Sequence, residues 1–143
     1  VNKEWCMQHG IAIKPTIAGN HNQNGIAERA IQSIQTVART CLLSSKAPSH
    51  YWHHALHYAT WTLNRLPNAR NKDNAPSVIA AGLTTHIDAT QFHPFFAPVS
   101  VRKVNNELAR GDKFTARGHE GNFLYNLKLG CMVDVDGTAK KRD

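Results

Sequence analysis

The chain has 143 residues, 41% of them hydrophobic and 19% charged, with a formal net charge of +7 and a pI of about 9.6. No apolar run reaches bilayer-spanning length, and no N-terminal stretch has the charged, apolar, small-residue order of a signal peptide, so neither a membrane span nor a secretory leader is expected. Three widely spaced cysteines, Cys6, Cys41 and Cys131, argue against a disulfide framework and for a reducing compartment. The positive excess suggests a polyanionic partner. It is uneven: residues 1–70 carry seven Lys and Arg against two Asp and Glu, residues 71–143 ten against eight. Val1 is not an initiator methionine, so a processed or excised piece of something longer is expected.

Residues 1–13 begin polar and end in Gly10-Ile11-Ala12-Ile13, short enough for a buried strand after a helix end. Residues 14–24 are rich in turn formers and lack periodicity, which predicts a loop. A first helix is expected from Gly25, with Ala27, Ile31, Ile34, Ala38, Cys41 and Leu42 on one face, fading by Ser44 and Ser45 ahead of Pro48. A second helix should follow with Ser49 as N-cap. Its apolar face is Trp52, Ala55, Leu56, Ala59, Leu63 and Leu66, and Pro67 stops it. Residues 68–74 form a polar connector, and Ser77 to Ala81 a further helical turn. From Phe95 onward the texture turns to strands: Val99 and Val101 in alternation, Phe123 to Tyr125, and Met132 to Val135, with Asp136-Gly137 as a two-residue hairpin turn. Two parts are therefore expected, residues 1–82 and a small β module over 83–143.

Glu28 falls in the first turn of the first helix, where the helix dipole favours a carboxylate regardless of function. With Gln32, Gln35 and Arg39 it recurs at i, i+4, i+7 and i+11, a polar stripe beside the apolar one. Amides and an arginine on that face can donate to phosphate oxygens. A solvated helix face is the plainer reading of the same residues. His50, His53, His54 and His57 crowd the second helix at i, i+4 spacings used by helical zinc pairs, but no cysteine or carboxylate lies nearby in sequence to complete a site. A polar, partly protonatable helix face opposite Trp52 and Leu56 is the plainer reading. Cys6 and His9 lack a second pair, and Cys41 falls on an apolar face, so both cysteines read as packing. Trp5, Trp52 and Trp61 read as core anchors. Lys140-Lys141-Arg142 is a short basic run that is either solvated or set against phosphates.

The run Gln23-Asn24-Gly25-Ile26-Ala27-Glu28-Arg29, preceded by His21 and Asn22, resembles the third acidic position of the integrase of copia-type LTR retrotransposons. Val1 to Cys6 with Gly10-Ile11 looks like the segment after that family's second catalytic aspartate. Trp52, Ala55 and Asn64-Arg65-Leu66-Pro67 resemble its next helix, and Arg117 to Gly121 with Phe123-Leu124 its downstream β segment. Phe96-Ala97 departs from the pattern, which has Phe-Gly there.

The resemblance implies an α/β fold: the C-terminal helices of an RNase H-like core, followed by a small all-β, SH3-like module. It implies Glu28 as catalytic residue and metal ligand, one of three carboxylates that hold Mg2+ or Mn2+ in an intact parent. It further implies Asn24, Gln32, Gln35, Arg39, Lys140, Lys141 and Arg142 as DNA-binding residues, with element cDNA ends, target DNA, other Pol segments and further copies of the chain as partners. Such a parent would act in the nucleus after particle assembly in the cytoplasm, with no membrane involved. Two-metal phosphoryl transfer needs carboxylates from separate elements, and Glu4 is the only other acid in residues 1–70. This stretch by itself is therefore expected neither to hold the metal tightly nor to cut or join DNA. A non-catalytic nucleic-acid-binding remnant of a decayed retroelement stays open beside that reading, as does an unrelated helical scaffold.

Overall fold

Capping chemistry sets the first element. In the computed structural model, which describes residues 2–13, 15, 24–71, 74–82, 88–103 and 117–142, helix α1 (Lys3–Gln8) starts at Asn2. The Asn2 side chain accepts from the Glu4 and Trp5 amides at 3.1 and 3.3 Å. The helix ends on Gly10, whose φ of 66° lets the Gly10 amide donate to Met7 and the Ile11 amide to Cys6, at 3.1 and 2.8 Å. Cys6 is buried, and the Trp5 and His9 rings stack at 4.2 Å. Ile11 to Ile13 are exposed and form no strand, contrary to expectation, since no described strand runs beside them to pair their backbone. The loop expected over 14–24 lies outside the described residues except for Pro15 and Asn24.

The chain divides into two units, Val1–Ser33 and Ile34–Asp143. Helix α2 (Gly25–Ser45) begins in the first and ends in the second. It starts at Gly25, as its apolar spacing predicts. In the first unit Ala27 and Ile31 are exposed; in the second, Ala38 is buried and Ile34, Val37, Cys41 and Leu42 pack around it.

Helix α3 (Trp52–Leu63) is preceded by a 3-10 turn, Ser49–Tyr51, and no side chain caps either. Ser49 is thus not the cap that its position suggests; Pro48 sets the entry instead. The helix stops at Leu63, short of Leu66, and the Asn64 carbonyl accepts from the Ser77 amide (2.9 Å) at the start of helix α4 (Pro76–Ala80). The tryptophans do not anchor this core. Trp5 and Trp52 are 52% and 58% exposed, and Trp61 is half-buried against Phe92 with Arg65 over its ring at 4.2 Å. Ala55 and Ala59 are fully buried, and Tyr51, one residue before Trp52, is buried with Phe95 in the same core. The small side chains let the backbone of α3 approach its neighbour closely.

That neighbour is an antiparallel sheet in chain order: β1 (Pro98–Arg102), β2 (Gly118–Asn126), β3 (Cys131–Val135) and β4 (Thr138–Arg142). Asp136 and Gly137, at φ 55° and 74°, make the tight hairpin between β3 and β4. β2 is the long strand. Its first half, Gly118 to Asn122, pairs with β1, and its second, Asn122 to Asn126, pairs with β3. A bulge between Phe123 and Tyr125 brings Leu124 into the core with Ala55 and Ala59 while Tyr125 stacks on His57 at 5.0 Å. The other face carries Val99, Val101, Cys131, Val133 and Val135. Helices and sheet thus share one core across the connector that the sequence divides at 82/83; residue 83 lies outside the described residues.

Two backbone positions are demanding. Phe96, not Ala97, takes the left-handed conformation (φ 60°), held by its amide donating to Phe123 at 2.7 Å and by the Phe123 amide donating to Ala97 at 2.8 Å. Gly121 lies against β3 so closely that a Cβ would collide with the Asp134 carbonyl oxygen.

The helix–sheet seam also holds polar groups. Asp134 is 5% exposed, its Oδ1 buried and without a hydrogen-bond partner among the described residues, and the Tyr51 hydroxyl interacts with its carboxylate. Burial, then hydrogen bonding toward Asp134 and the carboxylate charge, push the Tyr51 hydroxyl pKa up. His54 lies 6.0 Å from the Tyr51 ring and 5.7 Å from Tyr125, with its Nδ1 buried and unpartnered. Burial, then the charges of His53 and His57, lower its pKa from the ordinary 6.5 or so; Asp134 opposes them.

Two outcomes are expected. Gly121→Ala must move a strand backbone and should destabilise the fold by about 1–3 kcal/mol in denaturant melts. Because the folded state disfavours protonated His54, the unfolded chain takes up its proton at the higher pH. Stability is therefore retained above the ordinary imidazole pKa and declines as pH falls below it. Thermal melts between about pH 7.5 and 5.5 should show that decline, and His54→Gln should flatten it.

Candidate nucleic-acid interface

The polar stripe rests on α2 alone. Glu28 and Gln32 fall in the part of the helix within the first unit, Gln35 and Arg39 in the part within the second, and all four are exposed. Asn24, also exposed, immediately precedes the helix. The Ser33 and Thr40 hydroxyls turn back onto the Arg29 and Thr36 carbonyls at 2.9 and 3.0 Å, so they do not compete for an outside ligand. Glu28 makes no ion pair with a described residue. An exposed carboxylate at a helix opening is accessible to a cation or to solvent, and the amides and guanidinium further along can donate to an anion.

A divalent-ion centre is another matter. Among the described residues no group of three or more His, Cys, Asp or Glu is placed to hold a metal ion. Glu28 stands alone, so these residues do not fit a two-metal centre. Among the described residues the histidines of α3, and His50 in the turn before it, likewise lack a third ligand. His50, His53 and His57 are exposed, and His54 turns toward the sheet, where its partners are Tyr51, Tyr125 and Asp134.

The basic end of the chain is β4. Lys140 and Lys141 are exposed and Arg142 is half-buried. Lys141 and Arg142 are brought together with Arg102 and Lys103, from the end of β1, around a groove of about 710 Å3 on the sheet. Arg102, Lys103 and His93, which also lines the groove, were not singled out by sequence. Strand register assembles them: Cys131 lies opposite Arg142 on one side and Asn126 on the other. Cys131 borders the same groove, and burial pushes its thiol pKa up, away from the reactive thiolate.

The chain is similar to a retrovirus-related Pol polyprotein from transposon TNT 1-94 of Nicotiana tabacum, 35% identical over 66 residues. The match covers 46% of this chain and 5% of that polyprotein, so the chain spans a small part of its relative's length. No family model matches the chain. No solved structure matches it either. The similarity supports an origin in the Pol polyprotein of a retrotransposon.

Proposed function

We propose that the chain is part of a copia-type integrase, the C-terminal half of an RNase H-like core followed by an SH3-like β segment. Within a Pol polyprotein it would serve the insertion of element cDNA into host DNA, the 3′ hydroxyl ends of the cDNA being joined to target phosphodiesters. The observation that carries this reading is Glu28, exposed in the first turn of a 21-residue helix. It stands in the motif Asn24-Gly25-Ile26-Ala27-Glu28-Arg29, in a chain similar to a retrotransposon Pol polyprotein.

In this reading Glu28 contributes one carboxylate to a metal centre whose other ligands lie elsewhere. Asn24, Gln32, Gln35 and Arg39 hold the ends of element DNA through phosphate and base-edge hydrogen bonds, and Lys140 adds phosphate contact from β4. Nuclear action and self-association follow from the same proposal. A second reading, nucleic-acid binding without catalysis, rests on Glu28 belonging to no metal-binding group among the described residues.

Duplex DNA binding, followed by fluorescence anisotropy over a salt series, tests what the two readings share. Affinity should fall steeply with salt, and Arg39→Ala should weaken it by about three- to tenfold while reducing the salt slope by roughly one ion. A flat salt response contradicts both. Strand-transfer assays then separate them. Residues 1–143 with Mg2+ should yield no joined product, whereas Glu28→Gln in an intact Pol polyprotein should abolish insertion and leave DNA binding intact. Insertion that survives Glu28→Gln leaves only the binding reading.

A further inference from the structure

We propose that the groove on the β-sheet is a docking site for an acidic peptide segment of a partner protein, taken up in extended form with apolar anchors. Four cations bound it, Arg102 at the end of β1, Lys103 next to it, and Lys141 and Arg142 from β4, and among the described residues no Asp or Glu lines it. Its floor is apolar: Val99, Val101, Phe123 and Val133. At about 710 Å3 it has the size of a ligand cleft rather than a packing defect.

Arg142 supplies an independent pointer. Its Nε is buried and has no hydrogen-bond partner among the described residues, an arrangement that costs free energy until an acceptor arrives. A carboxylate is the natural acceptor, since guanidinium–carboxylate pairs are charge-assisted and can be bidentate. The ligand that meets both the rim and the floor is therefore anionic and apolar together.

The floor discriminates between polyanions. A duplex is a broad convex cylinder and would touch only the rim, leaving the valines unused. A single strand binds through aromatic faces open to its bases. Here Phe123 is 3% exposed and meets His93 edge-on at 5.3 Å, so it offers no such face. An extended peptide, in contrast, alternates its side chains every residue. One set enters the aliphatic floor while the other meets the cations, and β1 and β4 are the outer strands among the described residues, with no further described strand paired to either. This site is separate from the α2 stripe and does not depend on the integrase reading.

The test uses the full chain and a short fluorescein-labelled peptide in which Leu alternates with Glu. Anisotropy should show saturable binding, and at saturation iodoacetamide should alkylate Cys131 more slowly, as read by peptide mass mapping. Arg102→Glu with Lys103→Glu should weaken binding by about tenfold or more, with a thermal melt matching the parent. If that variant melts early, Arg102→Gln with Lys103→Gln replaces it, and a loss of about threefold is expected. Equal affinity in the charge-altered chain, or unchanged Cys131 alkylation at peptide saturation, overturns the proposal. So does stronger protection of Cys131 by oligothymidylate or duplex DNA than by the peptide, which would assign the groove to nucleic acid.

Discussion

The contact between α3 and β2 governs the second unit. Ala55 and Ala59, one helical turn apart and fully buried, remove side-chain bulk from the side of α3 that meets the sheet. Leu124 fills the space they leave, and its burial contributes on the order of 2 kcal/mol of hydrophobic stabilisation. The close approach brings Tyr51, His54 and Asp134 into one seam. Apolar packing is indifferent to pH; these polar neighbours are not. The seam therefore combines a packing interaction of fixed strength with a polar one that responds to protons.

Much of this was legible in the sequence. Three- and four-residue spacing located α2 and α3, and Asp136-Gly137 located the last hairpin, because each is a local signal that tertiary contacts did not override. The ends of the helices were less legible. Ser49 has the chemistry of a cap, but Pro48 and the 3-10 turn supply the helix entry, so its hydroxyl is not used. Trp52 and Tyr51 are adjacent large aromatics, and periodicity favoured the tryptophan. Choosing correctly required knowing that the helix begins at Trp52 and that Asp134 waits opposite Tyr51. A carboxylate more than 80 residues downstream cannot be placed beside a tyrosine without the strand register. The same applies to Arg102 and Arg142, which belong to opposite ends of the sheet in sequence and to one groove in space.

The candidate surfaces divide along the same line. The α2 stripe is a one-dimensional pattern of spacing along a single helix, so it was legible as a pattern in the sequence. The groove is a three-dimensional feature, built by a central strand that shares its two halves between different neighbours. Glu28 thus draws its meaning from resemblance and position, and the cations around the groove draw theirs from folding. The similarity to a retrotransposon Pol polyprotein, which covers 66 residues, assigns neither a task.

The outermost strand, Thr138–Arg142, has one further consequence. Among the described residues no strand pairs with its outer edge, along which Lys140, Lys141 and Arg142 place like charges that discourage a strand from another molecule. Mutual repulsion keeps two such edges apart only while their charges stay uncompensated. Dissolved electrolyte weakens that repulsion over a Debye length of about 10 Å at 0.1 M. Colloidal behaviour of this chain should accordingly be set less by its melting temperature than by the ionic composition of its surroundings.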